Sequence, residues 1–291
     1  MKVRAWVLAA RLPTLLAAVA PVLVGTGLAA ADDVLRRDAF AATLAAAILI
    51  NVAANFANDA SDARRGIDTF ERIGPPRAVA TGLLTSRQMW WGTAAALLTA
   101  SGLGIFLAWI SGWVIIAIGA ASIVALLAYT GGPWPYGYRA LGEVFVFVFF
   151  GLVAVVGSRY VHDATAPAEA WLLAIPVGFL ATAILVANNV RDIETDRIAG
   201  KRTLAVVLGR RRTRHLYGFL IFGAFAFIGT LAVIGLVPGG SLVALAALPL
   251  AWAPVRRVAT ATDGPTLVAV LRGNARLHVI VGALLAVGVQ L

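Results

Sequence analysis

Long uninterrupted apolar runs alternate with short polar connections along almost the entire chain. They lie near 14–31, 39–57, 92–110, 112–130, 140–158, 169–188, 216–237, 240–255 and 275–291. A helix needs roughly 17–25 apolar residues to cross the hydrocarbon layer. Continuous runs argue against the alternating pattern of a membrane barrel. The pattern therefore predicts an all-α integral membrane protein of nine transmembrane helices, with residues 1–291 forming a single domain. The eighth run is the least regular, being short and carrying Pro249 and Pro254. The first ends in Ala29-Ala30-Ala31, which resembles a signal-peptide cleavage site. Its length argues for a packed span instead, as do Pro21, Gly25 and Gly27, which suit close helix contact in lipid.

Composition agrees. Hydrophobic residues make up 60% of the chain and charged residues only 13%, against about 25% charged in an ordinary soluble domain. The net charge of +10 sits between apolar runs. It points to an anionic leaflet and anionic substrates, and nucleic acid is not an expected partner. With the N-terminus inside, every Lys and Arg except Arg36, Arg37 and Arg159 falls on the cytoplasmic side. That asymmetry supports an odd number of spans in the inner (plasma) membrane. The absence of Cys excludes disulfides and thiol chemistry.

Two cytoplasmic connections, 58–91 and 189–215, are longer and more polar than the rest, so function is expected there. The second helix runs into Asn51-Val-Ala-Ala-Asn55-Phe-Ala-Asn58-Asp59-Ala-Ser-Asp62. At about 100° per residue, Asn51, Asn55, Asn58 and Asp62 form a stripe roughly 60° wide, with Asp59 at its edge. The sixth helix ends Asn188-Asn189-Val-Arg191-Asp192-Ile-Glu194-Thr-Asp196, placing Asn188, Asn189, Asp192 and Asp196 on one face. Glu194 points away. A polar stripe on an apolar helix must face protein interior or a wet cavity. Carboxylates with amide oxygens suit magnesium. Arg72 and Arg77 follow the first cluster, and Lys201 and Arg202 the second. Carboxylates with cations nearby suggest a metal-bound diphosphate. A lone D-x-x-x-D is often only loop chemistry, but two on one side of a membrane are more specific.

With these residues the chain resembles the UbiA superfamily of intramembrane prenyltransferases. Its N-D-x-x-D motif reads here Asn58-Asp59-Ala60-Ser61-Asp62, and its D-x-x-x-D motif Asp192-Ile-Glu-Thr-Asp196. It looks most like the branch that prenylates 1,4-dihydroxy-2-naphthoate in the menaquinone pathway. That likeness rests on Arg72 to Arg77, Tyr129-Thr-Gly-Gly-Pro133, Pro135-Tyr-Gly-Tyr138, Leu141-Gly-Glu143, and Asn188 to Leu204. Two departures stand out. The further Asp of many members, four residues after the first motif, is Gly66 here, leaving Asp68 as candidate. The Tyr-x-x-x-Lys of many members is broken, because Pro133 follows Tyr129, which leaves Arg139 to supply a cation.

The resemblance implies a bundle around a central cavity, open to the cytoplasmic side and laterally to lipid. It implies Mg2+ held by Asn58, Asp59, Asp62, Asp192 and Asp196, with Asp62, Asp68, Asp192 and Asp196 catalytic. Asn55, Asn58, Arg72, Arg77 and Lys201 would bind the diphosphate of a polyprenyl diphosphate. Tyr129, Tyr136, Tyr138, Arg139 and Asn188 would hold the aromatic acid acceptor, although Tyr136 and Tyr138 would equally serve as interface anchors. Phe145, Phe147, Phe149 and Phe150 either line the prenyl groove or face lipid. The implied product is demethylmenaquinone, with loss of carbon dioxide. Two alternatives stay open: a UbiA-type enzyme for another ring such as a hydroxybenzoate, and a cation-coupled secondary transporter.

Overall fold

The computed structural model of the protein describes residues 2–66 and 77–291. A short helix, α1 (Lys2–Ala10), precedes the bundle. The spans are α2 (Leu12–Ala31), α3 (Arg37–Arg64), α4 (Ser86–Ser111), α5 (Val114–Thr130), α6 (Gly142–Val146) continued by a π-helical segment into α7 (Ala154–Asp163), α8 (Ala168–Ile198), α9 (Leu204–Val233), α10 (Leu248–Thr260) with the 3-10 segment before it, and α11 (Gly264–Gly288). Among the described residues, eight of these elements are long and apolar enough to cross a membrane, and Val114–Thr130 is a shorter apolar helix. The chain is an all-α, multi-pass membrane protein.

The differences from the sequence pattern have local causes. The second and sixth helices run past their apolar stretches, to Arg64 and Ile198, so both acidic motifs sit on the final helical turns. The last helix begins at Gly264, well before residue 275. Arg272, Gly273, Asn274 and Arg276 interrupt its apolarity, while the Asp263 carboxylate caps its first turn by accepting from Thr266 N–H at 2.9 Å. The irregular eighth run divides into a 3-10 segment, Gly239–Ala247, and α10, which carries Pro249 in its first turn, where a missing N–H costs nothing. The helix α1 was not visible as an apolar run. Its Ala5 and Ala9 pack on Phe56 and Ala60 of α3 and Met89 of α4, and Trp6 meets Phe56 edge-on at 5.2 Å.

The predicted small-residue contacts form. A Cβ on Gly25 would lie 2.5 Å from the Val155 carbonyl oxygen, and one on Gly27 2.5 Å from Ala286 Cα. Helix α2 is thus wedged against α7 and α11 at backbone distance, the packing that holds helices together where lipid removes the hydrophobic drive. Between Phe147 and Val153 the chain winds as a π-helix, a wider turn that recurs at functional sites.

Candidate functional site

The last turns of α3 and α8 face one cavity at the same end of the bundle. The turn after α8 is the reason. Gly200 takes a left-handed conformation, φ +72°, and ends the helix, with Lys201 N–H donating to the Asp196 carbonyl at 2.8 Å. The chain reverses, and Lys201 Nζ reaches Asp62 Oδ2 on α3 at 3.3 Å. Arg77 donates to the same oxygen at 2.9 Å, and the Tyr138 hydroxyl donates to Asp62 Oδ1. Three segments far apart in sequence therefore converge on one buried carboxylate.

Asp59 does a different job from its neighbour. Its two oxygens accept the backbone N–H groups of Ala78 (2.9 Å) and Val79 (3.3 Å). It anchors the segment that presents Arg77, and it is not among the residues lining the cavity. Asn58 does line it, its Oδ1 accepting from Thr130 Oγ1 at 2.9 Å. The amide groups of Asn51 and Asn55 tie down the start of α2: Asn51 donates to the Thr14 carbonyl, Asn55 to the Ala10 carbonyl, each at 3.0 Å.

On α8, Arg191 is buried and folds back along its own helix. Its Nε and Nη2 grip the two oxygens of Asp192 at 2.7 and 2.6 Å, and Nη2 also reaches Asn188 Oδ1 at 2.8 Å. Asn188, Asp192 and Asp196 line the cavity. Glu194 is exposed and pairs with Arg197 (2.7 Å) and Arg210 (3.5 Å), as expected of a solvated face.

The segment joining α5 to α6 closes the site. The ring of Tyr138 lies between Arg65 (5.3 Å) and Lys201 (4.8 Å). Tyr136 stacks on Phe145 at 3.8 Å and donates its hydroxyl to the Ala125 carbonyl at 2.9 Å. Burial raises its pKa, so the phenol stays protonated and keeps that bond. Arg139 goes elsewhere: it is exposed, with its guanidinium over Trp134 at 5.2 Å. The backbone turns it outward, while the neighbouring Tyr138 carbonyl accepts from Arg202 N–H at 3.1 Å.

A cavity of about 660 Å³ runs from this polar end into the bundle. Of the predicted residues it brings together Asn55, Asn58, Asp62, Arg77, Tyr129, Tyr136, Tyr138, Asn188, Asp192, Asp196 and Lys201. Asp59 and Arg139 lie outside its lining. Asp68 and Arg72 fall outside the described residues. Phe145, Phe149 and Phe150 face the cavity, whereas Phe147 packs on Phe179 and against Gly178. Sequence reading overlooked Arg11, which lines the cavity where α1 breaks into α2, and Arg191. An ionisable residue inside an apolar helix was the available signal for Arg191.

The donor set fits magnesium shared with a substrate. Asn58, Asp62, Asp192 and Asp196 offer hard oxygens to one cavity. Among the described residues no three acidic or histidine side chains come close enough to hold an ion unaided. That is the situation magnesium tolerates, taking one or two carboxylates and completing its shell from water and phosphate.

Residues 18–275 match the UbiA prenyltransferase family. The chain is 41% identical over 286 residues to a 1,4-dihydroxy-2-naphthoate octaprenyltransferase of Mycobacterium leprae, covering 97% of this chain and 95% of that one. Its fold is similar to an apo UbiA homolog from Aeropyrum pernix K1 (TM-score 0.70, 15% identity, 93% and 96% coverage). It is also similar to a UbiA homolog from Archaeoglobus fulgidus bound to GPP and Mg2+ (TM-score 0.66, 14% identity, 97% and 99% coverage). Motifs, fold and sequence agree, and the chain belongs to the UbiA prenyltransferase family.

Proposed function

We propose that the protein transfers a polyprenyl group from a polyprenyl diphosphate to 1,4-dihydroxy-2-naphthoate, releasing diphosphate and carbon dioxide and giving demethylmenaquinone in its reduced, naphthalenediol (quinol) form. The observation that carries this reading is a single cavity with two unlike ends. One gathers Asp62, Asp192, Asp196, Arg77 and Lys201, and the other is walled by apolar side chains. A diphosphate with a long hydrocarbon tail has the same two-ended chemistry. The M. leprae relative's name supplies the acceptor, and the A. fulgidus homolog bound to GPP and Mg2+ supports the donor class.

Asn58, Asp62, Asp192 and Asp196 would hold magnesium. When bound with substrate, the ion supplies positive charge at the leaving oxygens, where it builds up as the allylic C–O bond breaks. Arg77 and Lys201, now engaged with Asp62, stand ready to take diphosphate oxygens instead, since both donate and neither can accept. Asp59 acts indirectly, by holding the Arg77 segment in place. The apolar walls exclude water, so the electrophilic carbon meets the ring and not hydroxide. The tail leaves toward lipid between α4 and α5, where Ile105 and Ile116 both line the cavity and are exposed on the bundle surface. The charge pattern supports a cytoplasmic N-terminus and an active site on the cytoplasmic face of the plasma membrane.

Purified protein incubated with farnesyl diphosphate, 1,4-dihydroxy-2-naphthoate and magnesium should yield a prenylated naphthalenediol lacking the carboxyl group, read by product mass. EDTA should stop the reaction and magnesium should restore it. Product formed only from a hydroxybenzoate offered in parallel would overturn the acceptor assignment.

A further inference from the structure

Glu143 is the second residue of α6, buried within the bundle at 5% exposure. Among the described residues its hydrogen-bond partner is Asn189 of α8, whose Nδ2 donates to Glu143 Oε1 at 2.8 Å, and no cation pairs with it. An acidic side chain in this position is costly, and glutamine would pack equally well, so the carboxyl group needs a reason to be there. Asn189 itself lines the cavity, next to Asn188 and three residues before Asp192. Tyr129, another cavity residue, lies close by. A Cβ on Gly142, the residue before Glu143, would lie 3.5 Å from the Tyr129 hydroxyl.

A carboxylate only accepts hydrogen bonds, whereas a primary amide has a donor end and an acceptor end. Glu143 takes the donor end of Asn189. The end left for the cavity is the carbonyl oxygen, to which no described residue donates. Asn188 is not equivalent, because Arg191 already occupies its oxygen.

We propose that Glu143 is a positioning residue that fixes the Asn189 amide so that its carbonyl receives a ring hydroxyl of the aromatic acceptor. This contact would set the choice of acceptor. The inference rests on the prenyl-transfer reading above and adds to it the group that distinguishes one aromatic acid from another. A buried acceptor built for a hydroxyl rejects analogues lacking it, because the polar atom is then left unpaired.

The test compares wild type, Glu143→Gln, Glu143→Leu and Asn189→Ala. Each is assayed with 1,4-dihydroxy-2-naphthoate and with the two monohydroxy-2-naphthoates that lack one ring hydroxyl. Farnesyl diphosphate KM and the magnesium requirement are measured alongside. Wild type should prefer the dihydroxy acid over one analogue by roughly 100-fold in kcat/KM. Glu143→Leu should raise the dihydroxy KM about 10-fold and shrink that preference by a similar factor. Its farnesyl diphosphate KM and magnesium requirement should stay within about 2-fold of wild type. Glu143→Gln, which keeps an accepting oxygen but can also present a donor to Asn189, should retain a preference intermediate between wild type and Glu143→Leu. Asn189→Ala should lose it as Glu143→Leu does, giving an independent answer if the leucine variant does not fold.

Unchanged acceptor preference in Asn189→Ala would overturn the inference. So would a folded Glu143→Leu variant that loses all acceptors and farnesyl diphosphate alike, since Glu143 would then not act on the acceptor alone. A wild type that prenylates no naphthoate at all sinks the functional reading itself, a result distinct from either.

Discussion

The bundle has an ion cluster at each end, and the two behave differently. At the end that carries both acidic motifs, Asp62 is bound by Arg77, Lys201 and Tyr138, and the same cavity is lined by Asp192 and Asp196. At the other end Arg159 is bound by Asp32 at 2.6 Å and by Asp163 at 2.6 Å, tying the α2–α3 connection to the end of α7. Both clusters contain strong charge-assisted contacts. Only the first opens onto a cavity, and only there do the cations reach the carboxylate from separate connecting segments. The second lies at the bundle surface, with Asp163 also accepting from Thr165 N–H and Oγ1 and no member lining that cavity. Ion pairing alone therefore does not mark a functional site. Partners that a charged ligand can displace do.

Substitutions at the two ends should separate them. Asp62→Asn should lower prenyl transfer by at least roughly 1,000-fold, because it removes a proposed magnesium ligand and the anchor for both cations. Asp163→Asn at the other end should leave turnover within about 3-fold of wild type. Equal losses in a coupled prenyl-transfer assay would erase the distinction. A smaller effect is expected of Lys201→Ala, which should raise the polyprenyl diphosphate KM about 10-fold with little change in acceptor KM. The smallest concerns Arg159→Met. Its partners Asp32 and Asp163 are partly exposed and can rehydrate, so stability should fall by only about 1–2 kcal/mol. This is seen as a lower melting temperature in detergent, with activity per folded molecule unchanged.

The bundle was legible in the sequence because lipid leaves the backbone so few options. Among the described residues the nine apolar runs became eight spanning elements and one shorter apolar helix, and misplaced ends trace to residues that break apolarity without breaking a helix, such as Arg272 and Asn274. The polar stripes on α3 and α8 were legible for the same reason, since Asn58, Asp62, Asp192 and Asp196 had nowhere to point but inward. What the sequence hid was decided by backbone turns between spans. The Asp59 carboxylate is one residue from Asn58 yet faces Ala78 and Val79, and Arg139 adjoins Tyr138 yet lies over Trp134. Periodicity describes a helix but not the irregular segment beyond it, so neighbours in a motif need not share a role. Arg191 was hidden differently. Adjacent residues on a helix do not normally face each other, and its grip on Asp192 needs the side chain to fold back.

The central claim is that the residues at the ends of α3 and α8 would together hold a diphosphate with magnesium. The most direct measurement is binding of farnesyl diphosphate to the purified protein, titrated with and without magnesium, in wild type, Asp62→Asn and Asp196→Asn. The account predicts tight binding only with magnesium, and its loss in each single variant even though the two residues lie on different helices. Undiminished binding in EDTA, or in either variant, would contradict it.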